Sequence, residues 1–447
     1  MDDPKKSARR RFLKEGALFG LAAGAMGWAS AKALHVDAAS EPPKPAKPDN
    51  AETLQTYKSY GDRSGYETWG RENDYSGHPE TVPPEEQIGI LPEKKVTPLD
   101  DLVGAITPNG LHFVANHSDP PNINPKEYRL LIGGMVDRPL TYSLEDLKRL
   151  PSVSAIYFLE CDANSHPNAF TKHGGRSTAQ DLHGRTSCSE WTGVALSLLL
   201  KEAGVQQGAK FLVSDGYDSM HYSYDLPMEK ALDDVLVAYG QNSEAVRPEQ
   251  GYPVRLLVPG FEGPYSVKWL RQIKVVDQPY ITKTQQIQHS YMRPDLKGKA
   301  LWFYYQMPPK SIILRPSGGH QLPGPGFYEI TGLAWSGWGA VRRVEVSTDG
   351  GKTWKEARLQ QPVRPMAHTR FHFDWTWDGQ ETTLQSRCTD DRGIVQPSLD
   401  EMTEKWGIPG GKKAWITPGN TLGGYHANQI QPWRVAADGS VHNAMFD

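Results

Sequence analysis

Apolar runs of strand length dominate the first half of the ordered chain. Runs rich in Val, Leu, Ile and aromatic residues predict eight strands, at residues 111–114, 128–132, 154–161, 210–214, 222–226, 235–239, 252–258 and 272–276. The stretch SLEDLKRLP predicts a short helix, with Ser143 as N-cap, Asp146 three residues on and Pro151 as the stop. A second helix is predicted over residues 191–205, WTGVALSLLLKEAGV, ending at Gly204. Because strands and helices do not alternate strictly, this part favours a mixed α+β fold.

The pattern changes after about residue 307, where period-two strands and turns predominate. Asp349-Gly350-Gly351 separates two alternating runs and is a strong hairpin signal. The stretches TRFHFDWTWD and TTLQSRCTDDRGIVQP continue in short strands. The sequence therefore predicts a β-sandwich after the mixed domain.

The N-terminal residues predict export in the folded state. A twin arginine followed by Phe-Leu-Lys, a Gly/Ala-rich stretch at 16–28 and an A-x-A site predict a twin-arginine signal peptide over residues 1–33. The apolar stretch is too short and too rich in glycine for a membrane anchor, so no membrane span is expected after cleavage. The expected compartment is the oxidising bacterial periplasm. Residues 34–95, rich in Pro and charged residues, predict an extended arm.

Charge and cysteine content exclude several classes of function. Removing residues 1–33 takes away seven basic and three acidic residues, which leaves 42 Lys/Arg and 49 Asp/Glu and changes the net charge from −3 to −7. No basic surplus remains for nucleic acid. Cys161, Cys188 and Cys388 are too few for a disulfide framework, and the odd number leaves at least one thiol unpaired. No C-x-x-C-H motif is present, so no covalent haem is expected on this chain, and no close His/Cys pair predicts a zinc site.

Three stretches carry polar groups of the kind that bind a cofactor. They are FVANH at 113–117, the Cys161 segment LECDANSH, and GYPVRLLVPGFEGPYSVKWLRQI at 251–273. Arg255 within a Val/Leu strand is rarely buried without an anionic partner, and Lys268 after a Gly/Pro-rich turn suits a phosphate. The functional interpretation is a pocket for a phosphate-bearing cofactor beside a thiolate. The structural interpretation makes Cys161 a small buried hydrophobe and pairs Arg255 with a nearby Asp.

These motifs, in this order, resemble the sulfite oxidase family of molybdenum enzymes from about residue 96 to residue 434. The resemblance rests on FVANH, LEC-x-x-N, WTGVALSLLLKEAGV, LVAYGQN, GYPVRLLVPG…SVKWLRQI and AWSGWGAVRRVEVSTDGGKTW. It implies a mixed molybdopterin-binding domain at 96–300 and an immunoglobulin-like dimerisation domain at 301–447. It also implies one molybdenum–molybdopterin cofactor per chain, with the Cys161 thiolate as a metal ligand.

The resemblance assigns further residues to the reaction and to the cofactor. Tyr239, in LVAYGQN, matches an active-site tyrosine, and His166 is a candidate proton acceptor or substrate-binding group. The positions matching those that hold the pterin and its phosphate are Phe113, Val114, Ala115, Asn116, His117, Asp218, Gln250, Arg255, Ser266, Val267 and Lys268.

Departures from the sulfite oxidase pattern bear on the substrate. Ala115 and His166 stand where sulfite oxidases carry arginines, and Gln429 is the best match for a third. Arginines orient small dianions, so this pocket is poorly suited to free sulfite. An insert over residues 166–190 is either a reshaped entrance for a larger substrate or a solvated surface loop.

These features are most similar to the sulfane dehydrogenase branch of the family, in the periplasmic Sox system of thiosulfate oxidation. The resemblance then implies oxidation of sulfane sulfur on a carrier protein by oxo transfer from Mo(VI). It also implies electron transfer to a separate c-type cytochrome subunit, with the chain as a homodimer within a heterotetramer.

Three alternatives remain open at the sequence level. A sulfite:cytochrome c dehydrogenase shares the chemistry but is disfavoured by the missing arginines. A periplasmic reductase of oxidised methionine uses a related domain but generally lacks the dimerisation domain. A cofactor-free periplasmic binding module predicts no metal at all.

Overall fold

The computed structural model describes residues 70–73, 94–166, 174–292, 301–417 and 426–446. All of these lie within one compact unit, Trp69–Asp447. The predicted signal peptide, most of the predicted arm and part of the predicted insert lie outside the described residues. Within the described residues, no helix has both the length and the apolarity needed to cross a membrane.

Two five-stranded sheets form the first part of the fold. The strands of the first sheet are Glu244–Ala245, Leu236–Gln241, Thr186–Ala195 and Val153–Glu160 in spatial order, with Arg255–Leu257 also paired to Leu236–Gln241. The strands of the second sheet are Leu140–Tyr142, Leu130–Gly134, Leu270–Val276, Phe211–Gly216 and Ser223–Pro227. Its only parallel pair joins Leu130–Gly134 to Leu270–Val276. A small third sheet pairs Glu72–Asn73, Lys94–Val96 and Val114–Ala115.

Helices are short and few, as expected of a strand-dominated α+β fold. Those in the described residues are Leu144–Arg149, Ala179–His183, Leu196–Ala203, Met228–Ala231, Lys283–Gln288, Leu399–Lys405 and Gly411–Trp415. The predicted end of the third helix is confirmed, because Gly204 caps it in the left-handed conformation at φ 71°.

Two predicted elements differ from the structure. The predicted helix over residues 191–205 is wrong in its first third, because Thr186–Ala195 is a strand and the helix begins at Leu196. That strand pairs on both sides, so tertiary hydrogen bonding overrides the helical apolar pattern. The predicted strand over 111–114 is a 3₁₀ turn, Asn109–Leu111, followed by a strand that begins at Val114.

The capping box predicted at Ser143 is present. The Ser143 hydroxyl accepts from the Asp146 backbone N–H at 3.1 Å, and the Asp146 carboxylate accepts from the Ser143 backbone N–H at 3.0 Å. We expect Ser143→Ala to lower the free energy of unfolding by about 1 kcal/mol, since it leaves an N-terminal backbone donor without a partner. Urea denaturation monitored by circular dichroism measures this, with Ser152→Ala at an exposed position as the control. An unchanged midpoint for Ser143→Ala would contradict it.

The second part of the chain is a sandwich of two antiparallel sheets. One sheet contains Lys310–Arg315, Gly326–Trp335, Thr369–Trp377 and Arg358–Leu359. The other contains Lys355–Glu356, Val341–Ser347, Thr382–Asp390, Trp433–Val435 and Val441–Asn443. The predicted hairpin turn is confirmed, with Gly350 and Gly351 at φ 73° and 88° between two paired strands. A short pair, Tyr291–Met292 with Leu301–Trp302, precedes the sandwich.

The sandwich core continues into the mixed domain. Phe158 and Cys188, from the first sheet, pack in one apolar cluster with sandwich residues such as Trp335 and Cys388. The second sheet has its own apolar cluster, built around residues such as Ile132 and Ile273. Since Phe158 lies just before Cys161, the shared core holds the strand that leads into the Cys161 segment against the sandwich.

Candidate active site

An open cavity lies where the three polar stretches of the sequence meet. Eleven of the predicted site residues line it: Phe113, Ala115, Asn116, His117, Cys161, Asp218, Gln250, Arg255, Ser266, Val267 and Lys268. The other lining residues are Leu159, Asp162, Tyr222, Gly263, Pro264 and Trp269. The fold therefore brings together groups from four distant parts of the chain, because Asp218 and Tyr222 join the three polar stretches.

Cys161 lines the cavity and directly follows the strand Val153–Glu160. Its thiol donates to Asp162 Oδ1 at 3.3 Å, and its backbone N–H donates to the Arg185 carbonyl at 3.0 Å. Burial, together with the Asp162 charge, raises the pKa of the Cys161 thiol to about 12. In the protein without a metal the thiol is therefore protonated at neutral pH, and ligation of a metal must release this proton.

Asp162 and His289 form an ion pair next to the thiol. His289 Nε2 lies 3.1 Å from Asp162 Oδ2, and both side chains are largely buried. Burial opposes ionisation of Asp162, but the charge and hydrogen bond of His289 outweigh it and hold the carboxyl pKa well below its usual range. Burial likewise opposes the charge on His289, but Asp162 outweighs it and raises the imidazole pKa. The wall beside Cys161 therefore carries a carboxylate whose charge is balanced from behind the cavity surface.

Arg255 is buried beneath the cavity and stabilises its backbone. Its guanidinium donates to the carbonyl oxygens of Gln250 at 2.9 Å and Ser266 at 2.8 Å, and its charge lies 5.1 Å from the ring centre of Trp191. Burial lowers its pKa to about 9. The structure forms no ion pair between Arg255 and a described carboxylate, so the Asp partner of the structural interpretation is not found. Gly251 is at φ 110°, where a Cβ would meet Lys268 Cα at 3.1 Å, so this close approach requires glycine.

Lys268 and Asn116 contribute an ammonium group and a side-chain amide to the cavity lining. Lys268 Nζ donates to Asn116 Oδ1 at 2.6 Å and to the Glu249 carbonyl at 2.9 Å. The Asn116 side-chain Nδ2 is buried and has no hydrogen-bond partner among the described residues. Buried donors without partners are rare in native proteins, so this amide indicates an acceptor supplied by a bound molecule.

His117 and Asp218 also line the cavity. The His117 ring stacks on Tyr222, with centroids 4.9 Å apart and planes at 25°. Asp218 accepts from Ser118 Oγ at 3.2 Å and from the Tyr222 backbone N–H at 3.0 Å. Tyr222 in turn donates to the Tyr224 hydroxyl at 3.3 Å, which contacts His289. A chain of polar contacts thus runs from the His117 wall to the Asp162 wall.

Three predicted site residues do not line the cavity. Val114 is buried in the small third sheet. Tyr239 packs with the apolar cluster of the second sheet, whereas its neighbour Ala238 packs with Cys161, because successive strand residues face opposite sides. The ring of His166 lies 5.9 Å from that of Trp415. The geometry therefore gives no support to the predicted role of Tyr239 at the metal.

Two lining residues that sequence reasoning missed are the most informative. Asp162 is adjacent to the cysteine, and that proximity alone is a usable signal. Tyr222 was predicted only as the start of a strand, and no local pattern connects it to His117, from which it is separated by over a hundred residues. Gln429, aligned with a missing arginine, is buried outside the cavity lining.

The lining chemistry fits a pterin–molybdenum cofactor. The cavity is bordered by a thiol, an ammonium group and a buried amide donor that lacks an acceptor. Lys268 and the turn around Ser266 would hold the phosphate, Asn116 a polar edge of the pterin, and Cys161 the metal.

Two family descriptions match the chain at the positions of these domains. "Oxidoreductase molybdopterin binding domain" matches residues 117–284, and "Mo-co oxidoreductase dimerisation domain" matches residues 302–415. The chain therefore belongs to the sulfite oxidase family of molybdopterin oxidoreductases.

The share of each protein that the similarity covers differs between the relatives. Sulfite oxidase of Gallus gallus is 31% identical over 312 residues, which is 66% of this chain and 66% of that protein. The NADH nitrate reductase of Volvox carteri is 33% identical over 314 residues, 63% of this chain but only 35% of the reductase. Among solved structures, the sulfane dehydrogenase SoxCD from Paracoccus pantotrophus matches with a TM-score of 0.74 and 36% identity. That match covers 90% of this chain and 99% of the SoxCD chain.

Proposed function

We propose that this chain is the molybdenum subunit of a periplasmic sulfane dehydrogenase. It oxidises sulfane sulfur held on a carrier protein and passes electrons to a c-type cytochrome subunit during thiosulfate oxidation. The observation that carries the proposal is the similarity to the SoxCD chain, which extends over 99% of that chain at 36% identity. The twin-arginine motif at residues 9–14 supports folded export to the periplasm.

The protein contributes binding, orientation and electrostatics. When bound, the molybdenum cofactor supplies the oxo group and accepts the two electrons of the oxidation. Cys161 would hold the metal, and Lys268 would pair with the cofactor phosphate. Arg255 fixes the two backbone segments on which Gln250 and Ser266 lie, so the cavity keeps its shape before the cofactor arrives.

The charges around Cys161 support a sulfane substrate over free sulfite. Ala115 lines the cavity without a charge, and Asp162 places a carboxylate next to the metal-binding thiol. His289 balances the Asp162 charge, so this pair does not attract a small dianion, and Ala115 supplies no arginine to do so. A persulfide on a carrier cysteine has one negative charge at most and gains its binding energy from the surface of its carrier.

Introducing the missing arginine should shift the preference towards sulfite. We expect Ala115→Arg to lower the KM for sulfite by about tenfold, the effect of one charge-assisted hydrogen bond of about 1.4 kcal/mol. The turnover of carrier-bound sulfane should fall, because the new side chain fills part of the cavity. Ala115→Met is the matched control, since it adds similar length without charge. Steady-state kinetics with both substrates measures the change. Equal KM values for sulfite in the two variants would contradict it.

The proposed function is tested by comparing substrates on the exported, metal-loaded protein. Cytochrome c reduction is measured with persulfide-loaded carrier protein and with free sulfite at equal concentrations. A higher kcat/KM for the carrier-bound persulfide supports a sulfane dehydrogenase. A higher kcat/KM for sulfite makes the chain a sulfite:cytochrome c dehydrogenase. Absence of molybdenum from the folded, exported protein would leave a binding module.

A further inference from the structure

A buried ion pair joins the cysteine segment to the sandwich domain. Glu160, the last residue of the strand before Cys161, and Lys310, the first residue of a sandwich strand, have side chains that are 1% and 3% exposed. Lys310 Nζ lies 2.9 Å from Glu160 Oε1. Charges this deeply buried are uncommon unless they are paired, and removing one partner leaves the other uncompensated.

The two side chains contact two residues of the segment that follows the cysteine, Asn164 and Ser165. The Glu160 carboxylate accepts from Asn164 Nδ2 at 2.8 Å and from Trp335 Nε1, in the sandwich, at 2.6 Å. Lys310 also donates to Ser165 Oγ at 2.5 Å. We call residues 161–166 the Cys161 loop; its turn is held by Glu160 at Asn164 and by Lys310, from the second domain, at Ser165.

The loop is also held from the side of the first sheet. Ser165 adopts a left-handed conformation at φ 64°, which is uncommon for a residue other than glycine and persists only where its surroundings fix it. Its hydroxyl lies 2.6 Å from His183 Nδ1, and Asn164 Oδ1 accepts from the Arg185 backbone N–H at 3.0 Å. Lys310 and Glu160 therefore add a second partner to each of the two side chains at the turn, Ser165 and Asn164.

We propose that Lys310 and Glu160 are positioning residues for the metal ligand, so that the dimerisation domain sets the geometry of the Cys161 loop. This inference rests on Cys161 being the metal ligand in the proposed function. Neither residue lines the cavity, so both act through the loop and do not contact the cofactor. The sandwich then contributes to the metal site as well as to assembly.

The test separates positioning from a loss of stability. Lys310→Met and Glu160→Gln each leave one buried charge without a partner, which lowers stability. The double variant removes both charges and restores most of the stability. Arg387→Met is the matched control, because it removes the cation of a pair with Glu345 in the same domain, at 3.0 Å and away from the Cys161 loop. Two measurements are made on the full-length chain of every variant. One is the iodoacetamide labelling rate of Cys161 in protein produced without cofactor, and the other is the Mo(V) electron paramagnetic resonance spectrum of loaded protein.

We expect the double variant to unfold near the wild-type temperature but to label at Cys161 about tenfold faster or more, because one charge-assisted tie to the loop is lost. Its Mo(V) spectrum should be shifted or broadened, while Arg387→Met should match the wild type in both measurements. A double variant with wild-type labelling and a wild-type spectrum overturns the inference. Wild-type protein that holds no molybdenum contradicts the proposed function, and the labelling result then still decides whether the pair restrains the loop.

Discussion

Cys161→Ser is expected to reduce turnover of a sulfur substrate by more than about 100-fold while the chain stays folded. Substituting a residue that hydrogen-bonds to a metal ligand typically lowers metal affinity or activity by about 10- to 100-fold. Substituting a direct ligand should lower them further. Serine retains the hydrogen bond to Asp162 but is a poor ligand for a metal that prefers thiolate. Since the side chain borders an open cavity, we expect the free energy of unfolding to change by less than about 1 kcal/mol.

Three measurements check this result: elemental molybdenum per chain, the Mo(V) paramagnetic resonance signal and the turnover rate. Cys188→Ala is the matched control. Cys188 is an unpaired, fully buried cysteine of the shared core, so its loss should reduce stability by about 1 to 2 kcal/mol and leave molybdenum and turnover intact. A Cys161→Ser enzyme with the wild-type rate and spectrum would mean that this thiol does not bind the metal.

Lys268→Met is expected to weaken cofactor binding by about 10- to 150-fold. A charge-assisted hydrogen bond is worth about 1.5 to 3 kcal/mol, which corresponds to that range of dissociation constants. The matched control is Lys274→Met, which removes an exposed lysine from the strand that follows. Capture of molybdopterin by the cofactor-free protein, followed by pterin fluorescence after release, measures the change. Equal retention by the two variants would contradict a role for Lys268 in phosphate binding.

The same lysine should make cofactor capture depend on pH. Burial, with a smaller effect from the Arg255 charge, lowers the pKa of Lys268 to about 7 in the cofactor-free protein. The protonated form pairs with phosphate, and it is already present below pH 7. Above pH 7 binding must first take up a proton, so affinity should fall by up to about tenfold per pH unit. The difference between wild type and Lys268→Met should therefore shrink from pH 6 to pH 8, and a constant difference would contradict this assignment.

The candidate site was largely predictable because most of its lining residues lie within a few short motifs of adjacent residues. FVANH, the Cys161 segment and the stretch around Lys268 each place several groups in the cavity. Tyr239 was predicted at the site but does not line the cavity. Neighbouring residues of a strand point to opposite faces, and the motif LVAYGQN does not show which face turns towards the cavity. The ion pair of Asp162 could not be predicted, because its partner His289 is distant in sequence and only the fold brings His289 Nε2 to 3.1 Å from Asp162 Oδ2.

Local physical chemistry in the sequence alone determined the short-range features. The Ser143 capping box, the left-handed Gly204 and the hairpin turn at Gly350 each depend on a few adjacent residues, and the structure contains all three. The α+β class and the sandwich followed from the same kind of local pattern. Family membership followed from the order of short motifs along the chain.

Tertiary structure decided what depends on partners distant in sequence. The residues from Trp191 to Ala195 form a strand because two neighbouring strands satisfy their backbone groups, although the apolar pattern alone suits a helix. Glu160 and Lys310 are 150 positions apart, and each can be buried only because the other is present. The sequence by itself thus determined most of the elements, the family and most of the cavity lining. The fold determined how the cysteine is held and which charges face it, because those depend on pairings that no local pattern encodes.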